Sequence, residues 1–233
     1  MVQLISQYSG AYLAGFGIAV FISIVVIAFS ILIGTFAAIG RTSRYSAVRM
    51  LTACYVAVFR GLPPLLTLYL IYFGLPSWAA SADIPFLRWL LQPLDNRIAA
   101  AIAAFALTSG AYSTEIIRAA MASVKTEQTD AARSIGMTYG LAFRRIIAPQ
   151  AFRTAFPPLS NEYIAVVKVT SLASVIGVEE LMRTAQLAGN LTFQYVVAYS
   201  MAGIYYVTFV IVLQSISHRM ERKLSRGTAA HRR

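Results

Sequence analysis

Four ionisable side chains lie within or beside long apolar stretches of this sequence: Arg60, Glu115, Glu162 and Lys168. A charge held at the middle of a membrane costs several kcal/mol, so we expect each group to face a partner or a water-filled cavity. Cationic side chains bind carboxylates and carboxylates bind ammonium groups, which is the chemistry of reversible solute binding. We interpret the four as candidates for a solute pathway. Ion pairs that lock helices together without touching a solute are the alternative.

Other polar residues extend this pattern. A polar stripe at helical spacing runs through an otherwise apolar segment and consists of Thr108, Tyr112, Glu115 and Arg118. Beside Lys168, the hydroxyls of Thr170 and Ser171 can donate hydrogen bonds to a carboxylate. We add Thr170 and Ser171 to the predicted pathway.

A helix break is predicted next to Arg60. Gly61, Pro63 and Pro64 follow it, and proline both removes a backbone donor and disfavours helical geometry in the residue before it. A broken helix at membrane depth is tolerated only where it is buried in protein or lines a cavity. The break therefore predicts a site or gate at this position.

The composition indicates that these apolar segments lie in a lipid bilayer. Of 233 residues, 58% are hydrophobic and 12% charged, with a mean hydropathy of +0.65. About 20 apolar residues cross a hydrocarbon core. We predict an all-α integral membrane protein with five transmembrane helices, at about 12–39, 50–74, 98–120, 154–177 and 195–217. We expect one transmembrane domain over residues 1–220 and a basic cytoplasmic tail over 221–233, disordered beyond Arg226.

Positive charge sets the orientation. Lysines and arginines cluster after the first predicted helix, between the third and fourth, and in the tail, all on one side of a five-span chain. The positive-inside rule then places the N-terminus outside and the C-terminus in the cytoplasm. Topology and contact with anionic membrane lipid account for the net charge of +11, so we expect no nucleic-acid partner.

The residues near the ends of the predicted spans support two further predictions. Residues 1–10 contain no Lys or Arg, so we expect no cleavable signal peptide and a first helix that stays in the membrane. Amphipathic rings near predicted span ends are interpreted as interfacial anchors, namely Tyr8, Tyr12, Trp78 and Trp89.

A loop rich in small and basic residues lies between the third and fourth predicted helices, at about residues 121–153. Asp130 is expected near a helix start, where a carboxylate suits the helix dipole. Ala131 and Ala132 keep the element thin, so that another protein can approach its backbone. Gly136 is expected to end the helix in the left-handed conformation.

A second helix is predicted over residues 139–147, with Pro149 ending it because proline lacks an amide donor. One interpretation is a rigid element that docks on another protein. The other is a polar linker whose Ala, Gly and Pro residues only cap two cytoplasmic helices.

This loop resembles the ATPase-docking loop in membrane subunits of bacterial ATP-binding-cassette (ABC) importers, a Glu-Ala-Ala motif followed at fixed spacing by Gly and by Ile-x-Leu-Pro. The matching residues are Asp130, Ala131, Ala132, Gly136, Ile146 and Pro149. Two positions depart, because Asp130 replaces Glu and Ala148 replaces Leu. Residues 59–76, 111–121 and 169–181 also look like permeases of the polar amino-acid importer group, which handles histidine, glutamate, glutamine, arginine, lysine and opines.

The resemblance implies a type I ABC importer permease fold in the bacterial inner membrane, two permease subunits, a cytoplasmic ATPase dimer and a periplasmic solute-binding protein. It also implies that Asp130, Ala131, Ala132, Gly136 and Pro149 couple the permease to the ATPase. Many relatives read Lys-Asp-Thr-Ser where this chain has Val169 in second place. The site then belongs to a partner permease, or the ligand is oriented differently here.

Two other classes remain open. A membrane enzyme is disfavoured because both histidines, His218 and His231, lie at the cytoplasmic end, although Glu115 and Glu162 leave a carboxylate pair possible. An ion-coupled secondary transporter usually needs internal repeats, and none is clear. No glycine precedes a lysine, so a phosphate-binding loop is absent and ATP hydrolysis is expected from a partner. We expect no cofactor and no metal. The carried compound, and whether the two permeases are identical, stay open.

Overall fold

The computed structural model describes the backbone of residues 2–229 and the side chains of residues 8–224, and its regular elements are all helical. The α-helices are α1 (Val2–Arg41), α2 (Ser46–Gly61), α3 (Pro64–Tyr69), α4 (Leu75–Ser81), α5 (Pro85–Leu91), α6 (Arg97–Ala122), α7 (Thr126–Ser134), α8 (Tyr139–Ala142), α9 (Ala148–Val169), α10 (Leu181–Thr192) and α11 (Tyr195–Ala229). π turns at Leu70–Gly74 and Phe143–Ile147 join α3 to α4 and α8 to α9, and 3₁₀ turns occupy Gln92–Asp95 and Thr170–Ile176.

Four to five candidate membrane spans stand beside the five that the sequence predicts. Four continuous stretches are long and apolar enough to span a bilayer, namely Tyr8–Arg41, Arg97–Ala122, Tyr139–Ile176 and Tyr195–Leu224. The fifth candidate is the pair Ser46–Gly61 and Pro64–Ser81, taken as one span that is bent by 110° at the break between them.

The bend arises where the sequence predicts it. Leu62 closes α2 by donating its amide to the Val58 carbonyl at 3.0 Å, and Pro63 precedes the first residue of α3, Pro64. Proline is well tolerated in a first helical turn, because its missing donor has no partner there in any case. The two prolines therefore end one helix and start the next in a new direction.

Helix α6 lies at the centre of the molecule, and a larger share of it is buried than of any other continuous candidate span among the described residues. It packs against α1, α2, α3 and α9, mainly through alanine, glycine and serine. At Gly34 of α1, an added Cβ would lie 2.6 Å from the Ser113 Cβ of α6. Small residues on both helices thus permit close backbone contact, the packing typical of membrane helices.

A second core joins α1, α10 and α11. Tyr12 is fully buried and donates from its hydroxyl to the Ala198 carbonyl at 2.8 Å. The predicted role of Tyr12 as an interfacial anchor is therefore wrong. Trp78 and Trp89 are exposed, as contact with lipid headgroups requires. A tyrosine hydroxyl is satisfied equally by a headgroup or a buried carbonyl, so sequence alone does not separate the two.

Glu180 ties this core together. It is fully buried, accepts a hydrogen bond at 2.9 Å from the amide of Arg183 as the N-cap of α10, and accepts one at 2.5 Å from the Tyr206 hydroxyl of α11. Burial raises the pKa of Glu180, and the hydrogen bonds oppose that shift.

Helix α11 continues through the expected domain boundary at residue 220 to Ala229. The backbone of residues 227–229 belongs to this helix, and disorder beyond Arg226 stays a prediction. Residues 230–233 lie outside the described part of the chain.

Candidate functional site

Arg60 lies at the end of α2, beside the bend. Its guanidinium carbon stands 5.1 Å from the centre of the Tyr112 ring of α6, a cation–π geometry. The Tyr112 hydroxyl in turn donates to the Arg60 carbonyl at 3.5 Å. The carbonyl at the end of the broken helix thus has a partner, and the cation is held against α6.

Glu162 and Ser109 stand on either side of the gap between α9 and α6. The half-buried Glu162 carboxylate interacts electrostatically with Arg60 and lies beside Ser109. The Ser109 hydroxyl oxygen is buried; the Glu162 carboxylate is near enough to interact with it, but no described residue meets the geometry of a hydrogen bond to it. A buried hydroxyl without a partner is costly, so this arrangement favours a ligand that would bond to it.

Glu115 lies on α6, nearer the predicted cytoplasmic side than Ser109. Its carboxylate accepts hydrogen bonds from Arg118 at 2.7 and 2.9 Å and forms an ion pair with Arg41 of α1 at 3.3 Å. The Glu115 side chain is 18% exposed, so water screens these pairs only in part. Glu115 therefore both holds α1 to α6 through Arg41 and lines a cavity.

That cavity, the α2–α6–α9 cavity, has a volume of about 370 Å³. Its lining consists of Arg60, Tyr112, Glu115, Ile116, Ala119, Ala120, Thr154 and Pro158. Glu162 lies one turn beyond Pro158 on α9. The structure thus brings Arg60, Glu115 and Glu162 to one region between three helices.

Lys168, Thr170 and Ser171 are further along the chain. Lys168 is exposed and lies six residues past Glu162, or about 9 Å along the helix axis. The Thr170 hydroxyl is buried and donates to the Val167 carbonyl at 2.8 Å, while Ser171 donates to the Lys168 carbonyl at 2.7 Å. Both hydroxyls already use their single proton, so they contact a ligand only as acceptors or after rotation.

The predicted coupling loop contains the expected short helix and turn. Gly136 has φ of +84°, the left-handed conformation. Its amide donates to the Arg133 carbonyl at 2.9 Å, and the Met137 amide donates to the Ala132 carbonyl at 3.1 Å, the two bonds of a Schellman motif. The expectation for Gly136 is confirmed. Asp130, by contrast, is the fifth residue of α7, and Glu127 is the acid in its first turn.

The loop presents an apolar surface to its surroundings. Ile135 is 74% exposed and Tyr139 is 70% exposed, next to the exposed Asp130 and Ala131. Ala132 instead is buried, in a helix that packs on α8 and on the π turn after it. Ile135 lies before the candidate span Tyr139–Ile176, and Tyr139 is its first residue, so both stand at the end of the span. Exposed large apolar side chains at such a position are typical of a protein-binding surface.

The loop is joined to α9 rather than separated from it. The Gln150 side-chain amide of α9 donates to the Gln128 side-chain oxygen of α7 at 2.6 Å. The prediction that Pro149 ends a helix is wrong: the chain stays helical, with the Ala148 amide donating to the Phe143 carbonyl in the π turn. Pro149 sits in the first turn of α9, where its missing donor costs nothing.

Sequence reasoning missed three residues of this arrangement: Ser109, Gln128 and Gln150. Ser109 lies three residues before Tyr112, on the side of the polar stripe facing α9, and its helical spacing is a usable signal. The glutamine pair has no such signal, because its members are 22 residues apart. Among the described residues, no group of three or more His, Cys, Asp or Glu is placed to hold a metal ion.

Comparison with known proteins adds a family. The sequence model of the family described as "Binding-protein-dependent transport system inner membrane component" matches residues 30–226. The L-cystine transport system permease protein TcyB of Bacillus subtilis is 38% identical over 203 residues, covering 86% of this chain and 81% of that protein. The nopaline transport system permease protein NocQ of Agrobacterium fabrum is 37% identical over 194 residues, covering 82% and 79%.

A solved structure extends the likeness to three dimensions. A chain from the crystal structure of an amino acid ABC transporter with histidines superposes with a TM-score of 0.82 at 30% identity, covering 94% of this chain and 96% of that one.

Proposed function

The chain belongs to the family of binding-protein-dependent transport system inner membrane components, and from that membership we propose that it is the permease subunit of an ABC importer for polar amino acids or related compounds such as opines. It is a multi-pass inner-membrane protein and a transporter component rather than an enzyme. The relatives named for L-cystine and nopaline transport, and the solved amino acid transporter, support this substrate class.

The structural observation that carries the coupling part of the proposal is the connection between the predicted coupling loop and the α2–α6–α9 cavity. Helix α7, with Gly136 and the exposed Ile135, is hydrogen-bonded through Gln128 to Gln150 of α9. The same helix α9 bears Glu162 at the cleft. A displacement of the loop by a docked protein therefore moves a helix that lines the proposed pathway.

The cleft suits a zwitterion. Arg60 offers a guanidinium to a carboxylate, Glu162 offers a carboxylate to an ammonium group, and the unpartnered Ser109 hydroxyl offers one more hydrogen bond. An amino acid carries both charges on one carbon. Paired groups of opposite sign thus favour it over a simple ion or a neutral sugar.

The remaining predicted pathway residues take supporting roles in this proposal. Glu115, held by Arg118 and Arg41, gives the cavity a fixed negative end on the predicted cytoplasmic side. Lys168, with Thr170 and Ser171, stands further toward the opposite side.

Energy enters through a partner. We assign Asp130, Ala131, Ala132, Gly136 and Pro149 to coupling, with an ATPase dimer docking on the exposed part of the loop. Closure of the ATPase dimer around ATP would draw two such loops together and open the pathway outward. A periplasmic binding protein would deliver the solute, and a second permease, identical or different, would complete the transporter.

Reconstitution of the complex in lipid discs tests the proposal. The tagged chain is purified with its native partners, and ATP hydrolysis is measured with the binding protein and a panel of amino acids, opines and sugars. The expected result is a co-purified ATPase whose rate rises only with certain amino acids or opines. Purification without any ATPase, or a rate indifferent to every compound, would overturn it.

A matched pair of variants locates the coupling. Gln150→Met removes the hydrogen bond to Gln128 while keeping a side chain of similar length, whereas Gln194→Met changes an exposed glutamine just before α11. We expect the first to lower ligand-stimulated hydrolysis and the second to leave it unchanged. Equal effects of the two would argue against the α7–α9 connection.

A further inference from the structure

An apolar groove between α1 and α9 shares no lining residue with the α2–α6–α9 cavity. This α1–α9 groove has a volume of about 540 Å³, within the range of small-molecule sites. One wall is a stripe of α1 spaced for a single helix face, from Ile27 to Ile39, and the other is α9 from Ala148 to Tyr163. Almost every atom that lines it is apolar.

The groove lies at the depth of one leaflet. Its α1 wall rises about 18 Å along the helix axis from Ile27 to Ile39, and its α9 wall rises about 22 Å from Ala148 to Tyr163. One leaflet contributes about half of a 30 Å hydrocarbon core. The α1 wall ends two residues before Arg41, the last residue of that helix. A chain lying in the groove would therefore start at the predicted cytoplasmic boundary and run toward the bilayer centre.

A polar cavity adjoins the groove at this boundary. The α9–α11 cleft, of about 580 Å³, shares Phe156 with the groove and also contains Gln150, Arg153, Thr154, Pro157, Glu221, Arg222 and Leu224. Two of these residues are cationic and one is anionic. The Glu221 carboxylate already bonds to Ser217 and His218, each at 3.3 Å. Arg153 has no ion pair or hydrogen bond among the described side chains.

We propose that the α1–α9 groove and the α9–α11 cleft together bind one anionic phospholipid of the cytoplasmic leaflet. An acyl chain lies in the groove, and the phosphate sits by Arg153. The charge complementarity and the depth of the groove favour this occupant over a protein helix, which would not need a cationic end. The proposal is independent of the transported compound.

The test measures lipid retained by the full chain in the complex with which it co-purifies, in mild detergent, by native mass spectrometry after titration with phosphatidylglycerol or phosphatidylcholine. We expect about one phosphatidylglycerol per chain, retained about fivefold more tightly than phosphatidylcholine, the contribution of one cationic side chain near the surface. Soluble glycerol phosphate is expected not to compete, because it lacks the acyl chain.

Variants separate the two parts of the site. Arg153→Gln should remove the preference for phosphatidylglycerol, whereas Arg219→Gln, an exposed arginine of α11 that lines neither cavity, should keep it. Thr35→Trp should fill the groove and release both lipids, whereas Leu32→Trp, one turn away and outside the groove, should not.

Ser160→Phe, on the facing wall, is a second blocking variant in case Thr35→Trp does not fold. Equal retention of the two lipids, full competition by glycerol phosphate, retention that survives both blocking variants, or a complex that carries no lipid would each overturn the proposal.

Discussion

Replacement of Gly136 by alanine is predicted to uncouple the permease from its ATPase without unfolding it. Gly136 has φ of +84°, and a Cβ added there meets no atom within 4 Å. The cost is therefore purely one of backbone conformation. For an L-residue in the left-handed region that cost is about 1–2 kcal/mol.

The penalty is small against a folding free energy of about 5–15 kcal/mol, so insertion and expression should be normal. It is large for docking. The variant loop can relax while undocked and must recover the turn to dock, so the penalty falls on association. Since each 1.4 kcal/mol is about a factor of ten, the affinity for the ATPase should fall by about 5- to 30-fold.

The assay titrates purified ATPase against the permease in lipid discs and records hydrolysis stimulated by the loaded binding protein. Gly136→Asn should recover part of the loss, because asparagine tolerates the left-handed region. Gly140→Ala is the matched control: it lies in α8, also has open space around it, and has ordinary helical geometry. Normal coupling by Gly136→Ala, or an equal loss in Gly140→Ala, would refute the reasoning.

Three other outcomes follow from packing, burial and the unpartnered hydroxyl. Gly34→Ala, whose Cβ would lie 2.6 Å from a side-chain carbon of α6, should lower thermal stability by about 1–3 kcal/mol, whereas Gly17→Ala on the same helix, with open space, should not; similar melting temperatures for the two would contradict the close α1–α6 contact. Because burial raises the pKa of Glu180, the folded state binds that proton more tightly than the unfolded state, so stability should fall as the pH rises above about 4, the ordinary range of a glutamate carboxyl. Glu180→Gln should flatten that fall in thermal-unfolding curves, and parallel curves for the two proteins would count against it. Ser109→Ala should raise the melting temperature of the empty permease by removing a buried unsatisfied hydroxyl, yet increase the amino-acid concentration needed for half-maximal ATPase stimulation; a change in stability alone would separate Ser109 from the ligand.

The membrane-spanning architecture was readable from the sequence because bilayer thickness imposes a minimum length on every apolar run. The bend after Gly61 and the left-handed Gly136 were readable for a similar reason: proline and glycine restrict or extend the backbone locally. Pro149 shows the limit of that reasoning. Whether a proline ends a helix depends on the turn before it, and here a π turn rearranges the hydrogen bonds so that the helix continues.

The candidate site was only partly readable. Arg60, Glu115 and Glu162 stand out because charge is rare in apolar segments, but their partners come from distant parts of the chain. Arg41 reaches Glu115 across 74 residues, a pairing that helix packing alone creates. Ser109 carries no charge, so its burial without a partner becomes visible only in three dimensions.

Uptake into sealed proteoliposomes tests the central claim most directly. The complete complex is reconstituted with ATP inside and the binding protein outside, and entry of radiolabelled amino acids is followed over time. The account predicts accumulation against a gradient that requires ATP hydrolysis and is lost in Glu162→Ala, with arginine, cystine, glutamate and an opine compared to identify the preferred compound. Equal entry with and without ATP, or accumulation driven by an ion gradient alone, would contradict it.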